Sequence, residues 1–208
     1  DADIVLVAVK PGYVIEVLTQ VAEGLKPGAL VISVAAGITT AAMQAAVADN
    51  VAVVRAMPNT PAIVGRAVTG LAAGSRVSPE QLATASELFE SVGRVVVVGE
   101  DQIDQLSTVS GSGPAYVFYF IEEFTKAAVE LGFMPDQARM LVEETFLGAS
   151  ELLAASGKTP ADLRRQVTSP NGTTMQAIAV FEQANLHELF GRATAAALAR
   201  AREIAAGK

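Results

Sequence analysis

The residues that most clearly carry chemistry lie late in the chain, in Thr168-Ser169-Pro170-Asn171-Gly172-Thr173-Thr174. Pro170-Asn171-Gly172 is a turn sequence, and Met175, Ile178 and Phe181 continue it at helical spacing. Thr173 followed by Gln176 has the spacing of a capping box. A helix start presents unpaired N–H groups and the positive end of a dipole, so it attracts anions. Thr173 and Thr174 add two hydroxyls, and Gly172 leaves the approach open. Taken alone, the stretch reads either as a carboxylate-binding helix entrance or as a well-capped helix.

Three earlier places carry a similar ambiguity, each just after an apolar strand. They are Lys10-Pro11-Gly12, Ala35-Ala36-Gly37 and Met57-Pro58-Asn59-Thr60-Pro61. In open α/β sheets ligands bind beyond the carboxyl ends of the strands. Lys10 is a cation for a ligand or a solvated strand end. Ala35 to Gly37 admit a flat ligand or a tightly packed helix. Asn59 and Thr60 are hydrogen-bonding residues held between two prolines of fixed φ, which is more restriction than a plain turn needs. Three such endings on successive strands are better explained by a common cleft. Further on, Glu100 and Asp101 precede Ser110-Gly111-Ser112-Gly113-Pro114, where two glycines allow close backbone approach and the proline suggests a helix break between domains.

Other chemistries are excluded. The 208 residues contain no cysteine, so thiolate metal sites and disulfides are unavailable. The single histidine, His187, rules out histidine-pair metal motifs and leaves little room for a Ser-His-Asp triad. Neither G-x-x-x-x-G-K-[ST] nor G-x-G-x-x-G occurs. A net charge of −7 argues against a nucleic-acid partner, which calls for a basic face. No apolar run reaches the roughly 18 residues of a membrane helix, and no signal-peptide pattern is present. The expectation is a soluble cytoplasmic protein.

The elements that must position these residues fall into two halves. Ile4 to Val9 reads as a strand buried on both faces, Tyr13 to Leu25 as a helix, and Ala29 to Val34 as a strand. A helix from about Thr39 to Ala48, a strand from Val51 to Arg55 and an extended stretch from Val68 to Ala73 follow. A helix from about Pro79 to Val92, capped by Ser78 with Gln81 in box position, leads to a strand from Val95 to Val98. Such alternation predicts an α/β fold with a mainly parallel, partial Rossmann-type sheet over residues 1–100. From Gln102 onward there is no strand candidate. Apolar stripes run through Val117 to Ala128, Asp136 to Ala155, Ala161 to Val167, Thr174 to Gln183 and Leu186 to Ile204. Residues 101–208 are therefore expected to form an all-helical domain, with apolar faces wide enough to continue into a partner subunit. The opening at Asp1, directly before an apolar strand, leads to the expectation that residues precede it.

Taken in order, Val9-Lys10-Pro11, Ala35-Ala36-Gly37, Arg55 to Ala62, Gly111 to Tyr116 and Thr168 to Thr174 resemble pyrroline-5-carboxylate reductase. The resemblance runs along the whole chain. It implies reduction of the cyclic imine 1-pyrroline-5-carboxylate to L-proline, the last step of proline biosynthesis, with NADPH or NADH. It also implies a Rossmann domain joined to a helical domain that forms homodimers or larger assemblies. A strand and a glycine-rich pyrophosphate turn would lie upstream of Asp1. By position, Ala8, Val9 and Lys10 would lie along the nicotinamide ribose, Ala36 near the nicotinamide ring, Asn59 and Thr60 at the border of the gap between cofactor and substrate, and Gln166 at a further cofactor contact. Glu100, Ser169, Gly172, Thr173 and Thr174 would hold the imino-acid substrate, with Thr174 catalytic at the ring nitrogen. Asn171 stands where some members have glycine. Two rivals remain: an imine or β-hydroxyacid dehydrogenase, for which the lysine on the long helix would be Lys126 near Glu122, and a non-catalytic dimerisation module.

Overall fold

The computed structural model describes Ala2 to Ala205. Its first strand, β1 (Ile4–Val7), stops two residues before the apolar run does. Lys10 then precedes a 3-10 turn at Pro11–Tyr13, which leads into helix α1 (Val14–Val21). Strand β2 (Leu30–Ser33), helix α2 (Thr40–Ala45) and strand β3 (Ala52–Met57) follow. Strand β4 (Ala67–Ala73), helix α3 (Pro79–Glu90) and strand β5 (Gly93–Val97) complete a five-stranded sheet in the order β1-β2-β3-β4-β5.

All neighbours in this sheet are parallel except β3 and β4. The connection explains the exception. Only Pro58 to Arg66 lie between those two strands, and a parallel crossover needs a dozen or more residues. A 3-10 turn at Thr60–Val64, ended by Gly65 at φ 69°, reverses the chain there instead.

Alternate residues of β2 feed two cores, as the pleat requires. Val31 packs with Val7, Val14, Leu18, Met43, Val51 and Val53 on one face. Leu30 and Ile32 pack with Ala52, Val54, Ala56, Leu71, Ala85 and Phe89 on the other. Burial on both faces thus holds for β2 but not for β1, where Ile4 is 39% and Leu6 52% exposed. Among the described residues β1 is an outer strand, paired only with β2. The α3 start is as expected: Gln81 N–H donates to Ser78 Oγ at 3.2 Å and Ser78 N–H to Gln81 Oε1 at 3.0 Å.

Beyond β5 the described chain is helical throughout. A 3-10 turn at Glu100–Gln102 opens into the short helix α4 (Ile103–Leu106) and then a π turn at Ser107–Gly111. Helix α5 (Gly113–Glu130) begins immediately, so the expected break at Pro114 is a change of helical pitch. Pro114 falls in the first turn of α5, where a missing N–H costs nothing. Helices α6 (Pro135–Ser156), α7 (Pro160–Gln166), α8 (Thr173–Gln183) and α9 (Leu186–Ala205) follow.

Two compact units result. One holds the described chain up to Pro114 together with the stretch from Ala193 onward; the other is Ala115–Arg192. The sheet unit has two cores, whereas the helical unit buries only Ala128, Ala138 and Val142, with Ile121 and Phe146 packed against them. Val117, Phe118, Phe124 and Leu147 of the helical unit stay 47 to 65% exposed.

Candidate active site

In the sheet unit, β1, β2 and β3 run parallel, so Ala8 to Lys10, Ala36 and Asn59 follow strand ends on one edge. Ala8, Val9, Lys10 and Ala36 are exposed there and Asn59 is half-buried. A cavity of about 310 Å³ opens at this edge, lined by Ala36 but not by Ala8, Val9, Lys10 or Asn59. Its walls include Ala36 and Gly37 after β2, Arg55 and Met57 of β3, Asp104 of α4, and Ala197, Ala201 and Ile204 of α9. It lies at the small end of the range for ligand sites, about 300 to 1,000 Å³, which suits one ring better than a whole dinucleotide.

The residue that organises this edge is Arg55, which the strand reading passed over as part of an apolar run. Arg55 is 3% exposed. Its guanidinium donates to Glu100 Oε1 and to Asp104 Oδ1, both at 2.8 Å. A buried guanidinium requires such partners, since an unpaired charge inside a protein costs several kcal/mol. That requirement is the signal the sequence did contain: a lone arginine inside Ala52-Val53-Val54-Arg55-Ala56-Met57 had to meet a carboxylate. Glu100 Oε2 is buried without a hydrogen-bond partner, as is Arg55 Nε. Glu100 therefore offers its surroundings charge more than contact.

Asn59 makes a second clasp. Its amide nitrogen donates to the Ser110 carbonyl, and its amide oxygen accepts from Val68 N–H, both at 2.9 Å. Both ends of the side chain are thus spent on fixing the proline-bracketed loop against β4 and the π turn. Thr60 beside it is exposed. Together Arg55 and Asn59 tie the end of β3 to the segment from Glu100 to Gly111.

In the helical unit, the stretch from Ser169 to Thr174 differs from the expected capping box. Thr173 is already helical, and the N-cap is Gly172, at φ −79° and ψ 167°. Asn171 takes φ 59°, and Gly172 N–H donates to the Ser169 carbonyl at 3.0 Å. The turn thereby closes one residue earlier than a Thr173 cap would need. Gly172 suits this closure, because a Cβ there would sit 2.5 Å from Ser169 Oγ and 3.1 Å from its carbonyl oxygen, so a larger residue would force the Ser169 side chain to turn away. No side chain caps α8. Its first N–H groups thus lack the partner that a Thr173–Gln176 box would have supplied. Ser169 and Thr173 are exposed and Thr174 is half-buried. Gln166, exposed, ends α7.

Lys126 does not suit the rival dehydrogenase chemistry. Its ammonium donates to Glu122 Oε1 and Glu123 Oε1, both at 2.7 Å. The hydrogen bond to Glu122 first, and that to Glu123 second, push its pKa up, whereas a lysine that gives up a proton near neutral pH needs it lowered. Among the described residues no group of three His, Cys, Asp or Glu side chains could hold a metal ion. No described helix is long and apolar enough to cross a membrane.

Comparison with known proteins identifies the family. Residues 100–204 match the family model described as pyrroline-5-carboxylate reductase dimerisation, and residues 1–37 match that of NADP oxidoreductase, coenzyme F420-dependent. The pyrroline-5-carboxylate reductase of Pseudomonas aeruginosa is 41% identical over 206 residues, covering 99% of this chain and 76% of the relative. That of Escherichia coli is 40% identical over 183 residues, covering 88% and 68%. A solved pyrroline-5-carboxylate reductase from Coxiella burnetii, 42% identical, superposes with a TM-score of 0.93 over 98% of this chain and 76% of that one. The Plasmodium falciparum pyrroline carboxylate reductase solved with NADP bound is 27% identical, with a TM-score of 0.85 over 98% and 78%. Arrayed on a parallel-dominated sheet followed by helices, and matched from end to end at this identity, these residues show that the chain belongs to the pyrroline-5-carboxylate reductase family.

Proposed function

We propose that the protein reduces 1-pyrroline-5-carboxylate to L-proline with NADPH or NADH. Membership of the family, along nearly the whole chain, is the observation that carries this reading, and it favours neither the imine or β-hydroxyacid dehydrogenase nor the non-catalytic module. When bound, the nicotinamide supplies the hydride that the imine carbon accepts. The strand ends fit such a group, since the cavity there is ring-sized and walled by Ala36 and Gly37. Ala8, Val9, Lys10, Ala36, Asn59 and Gln166 are its proposed contacts, Asn59 by fixing the loop that carries Thr60.

The start of α8 is the proposed anchor for the substrate carboxylate. Ser169 and Gly172 shape the turn, and Thr173 and Thr174 bring hydroxyls and first-turn N–H groups to it. Thr174 then holds the ring nitrogen, and Glu100 contributes negative charge that favours the protonated imine, the better hydride acceptor. A substrate lacking the carboxylate tests this anchor. Plain 1-pyrroline should be reduced with kcat/KM at least about a hundredfold below that of the carboxylate, since a charge-assisted contact is lost in addition to orientation. Equal kcat/KM for the two would remove the helix entrance from the site.

We assign residues 1–100 to cofactor binding and 101–208 to dimerisation and substrate binding; Asp1 and residues 206–208 lie outside the described structure. A homodimer belongs to the same reading. A groove of about 660 Å³ between α5 and α6 is lined by Val117, Phe118, Ile121, Phe146 and Leu147, and a unit with so small a core of its own gains from a second copy. Burying each exposed phenylalanine contributes about 1.5–3 kcal/mol. Sedimentation equilibrium should give twice the protomer mass, and Phe118→Asp should raise the dimer Kd at least about a hundredfold. A monomeric parent protein would contradict this. A cytoplasmic location follows from the intracellular pool of reduced nicotinamide on which such an enzyme draws.

A further inference from the structure

The clasp behind the strand ends does not balance its charges. One guanidinium, that of Arg55, meets two carboxylates, those of Glu100 and Asp104, each at 2.8 Å. Among the described residues one negative charge is left over. Arg55 and Asp104 both line the cavity at the ends of β2 and β3; Glu100 does not. Arg200 also reaches this cavity, but Glu203 takes its guanidinium at 2.7 Å, so that pair adds no net charge. The Arg55 side chain is only 4% exposed, and those of Glu100 and Asp104 are 31% and 25% exposed, so solvent and salt screen the set weakly.

We infer that the cavity takes the nicotinamide ring and that Asp104, held by Arg55, makes it prefer the oxidised form of the cofactor to the reduced form. This rests on the reading of the protein as a nicotinamide-dependent reductase. The position is that of ligands in open α/β sheets, and Ala36, Gly37, Ala197 and Ala201 leave the walls clear for a flat ring. The oxidised ring carries one positive charge that the reduced ring lacks. The set of Arg55, Asp104 and, behind the wall, Glu100 carries one net negative charge and distinguishes the two forms by that charge alone. Tighter binding of the oxidised form makes the bound cofactor a stronger reductant than the free one, by linkage. Asp104 is thus a positioning and charge-setting residue for a reaction that drives electrons onto an imine.

The test compares affinities, not turnover. Isothermal titration of NADP+ and of NADPH is carried out on the naturally expressed protein and on Asp104→Asn, which keeps the size of the side chain and its acceptor oxygen for Arg55. The Kd for NADP+ should rise about tenfold and that for NADPH less than about threefold. Asp104→Glu should restore the parent ratio. Glu100→Gln, which removes the charge standing farther from the cavity, should shift the ratio the same way but less, and it carries the test if Asp104→Asn does not fold. Equal shifts for both nucleotides would mark Asp104 as merely structural and overturn the inference, as would no shift in either variant. A parent protein that binds neither nucleotide would overturn the reductase reading itself, whereas binding of both with an unmoved ratio overturns only the role of Asp104.

Discussion

Replacing Arg55 with methionine is expected to lower the unfolding free energy by about 3 kcal/mol, the largest stability loss of any single substitution considered for the sheet unit. Methionine fills most of the arginine's volume, so packing changes little. What is lost is the only cation paired with Glu100 and Asp104 among the described residues, and the two carboxylates then repel each other at the end of β3. Removing one partner of a fully buried pair costs about 3–5 kcal/mol. The carboxylates here retain 31% and 25% exposure, which places the cost at the lower end. For a chain of this size that corresponds to a fall in Tm of roughly 6–12 °C. Asp104→Asn should cost less, because Arg55 keeps Glu100. Chemical denaturation of both variants checks the order, and an Arg55→Met protein within about 0.5 kcal/mol of the parent would show that the clasp holds nothing.

Thr174→Ala is expected to have the largest effect on turnover. If the hydroxyl meets the ring nitrogen, its loss should lower kcat/KM for the pyrroline by about 1–3 kcal/mol of transition-state binding, or roughly 5- to 150-fold. Thr174→Ser keeps the hydroxyl and should stay within about threefold. The Kd for NADPH should not move in either variant. Unchanged kinetics in Thr174→Ala would remove this residue from the mechanism, and a parallel loss in Thr174→Ser would point to the methyl group and thus to packing of α8.

These two residues also mark what was legible in the sequence. The strands and helices were, because each is a local pattern: Leu30-Val31-Ile32 is apolar with two β-branched residues, and Ser78-Pro79-Glu80-Gln81 spells its own cap. The order of motifs that carries the family was equally plain. The antiparallel pairing of β4 could have been read from the short span after Met57, since so few residues cannot return the chain for a parallel strand. The Arg55 clasp could not, because its partners lie 45 and 49 residues away and no local rule names them. The α8 start was misread by one position for a different reason. The positive φ of Asn171 closes the turn onto Ser169 and moves the cap to Gly172, while capping-box spacing is blind to the conformation of the preceding turn. That shift strengthens the case for an anion there, since a box would have consumed a donor that the helix instead leaves open.

The most direct measurement is product formation. The naturally expressed protein, incubated with 1-pyrroline-5-carboxylate and NADPH, should yield one L-proline for each NADPH oxidised, at a rate that saturates with both. A folded, dimeric protein that produces no proline above the uncatalysed background with either NADPH or NADH would contradict the account and leave the chain as a dimerisation module.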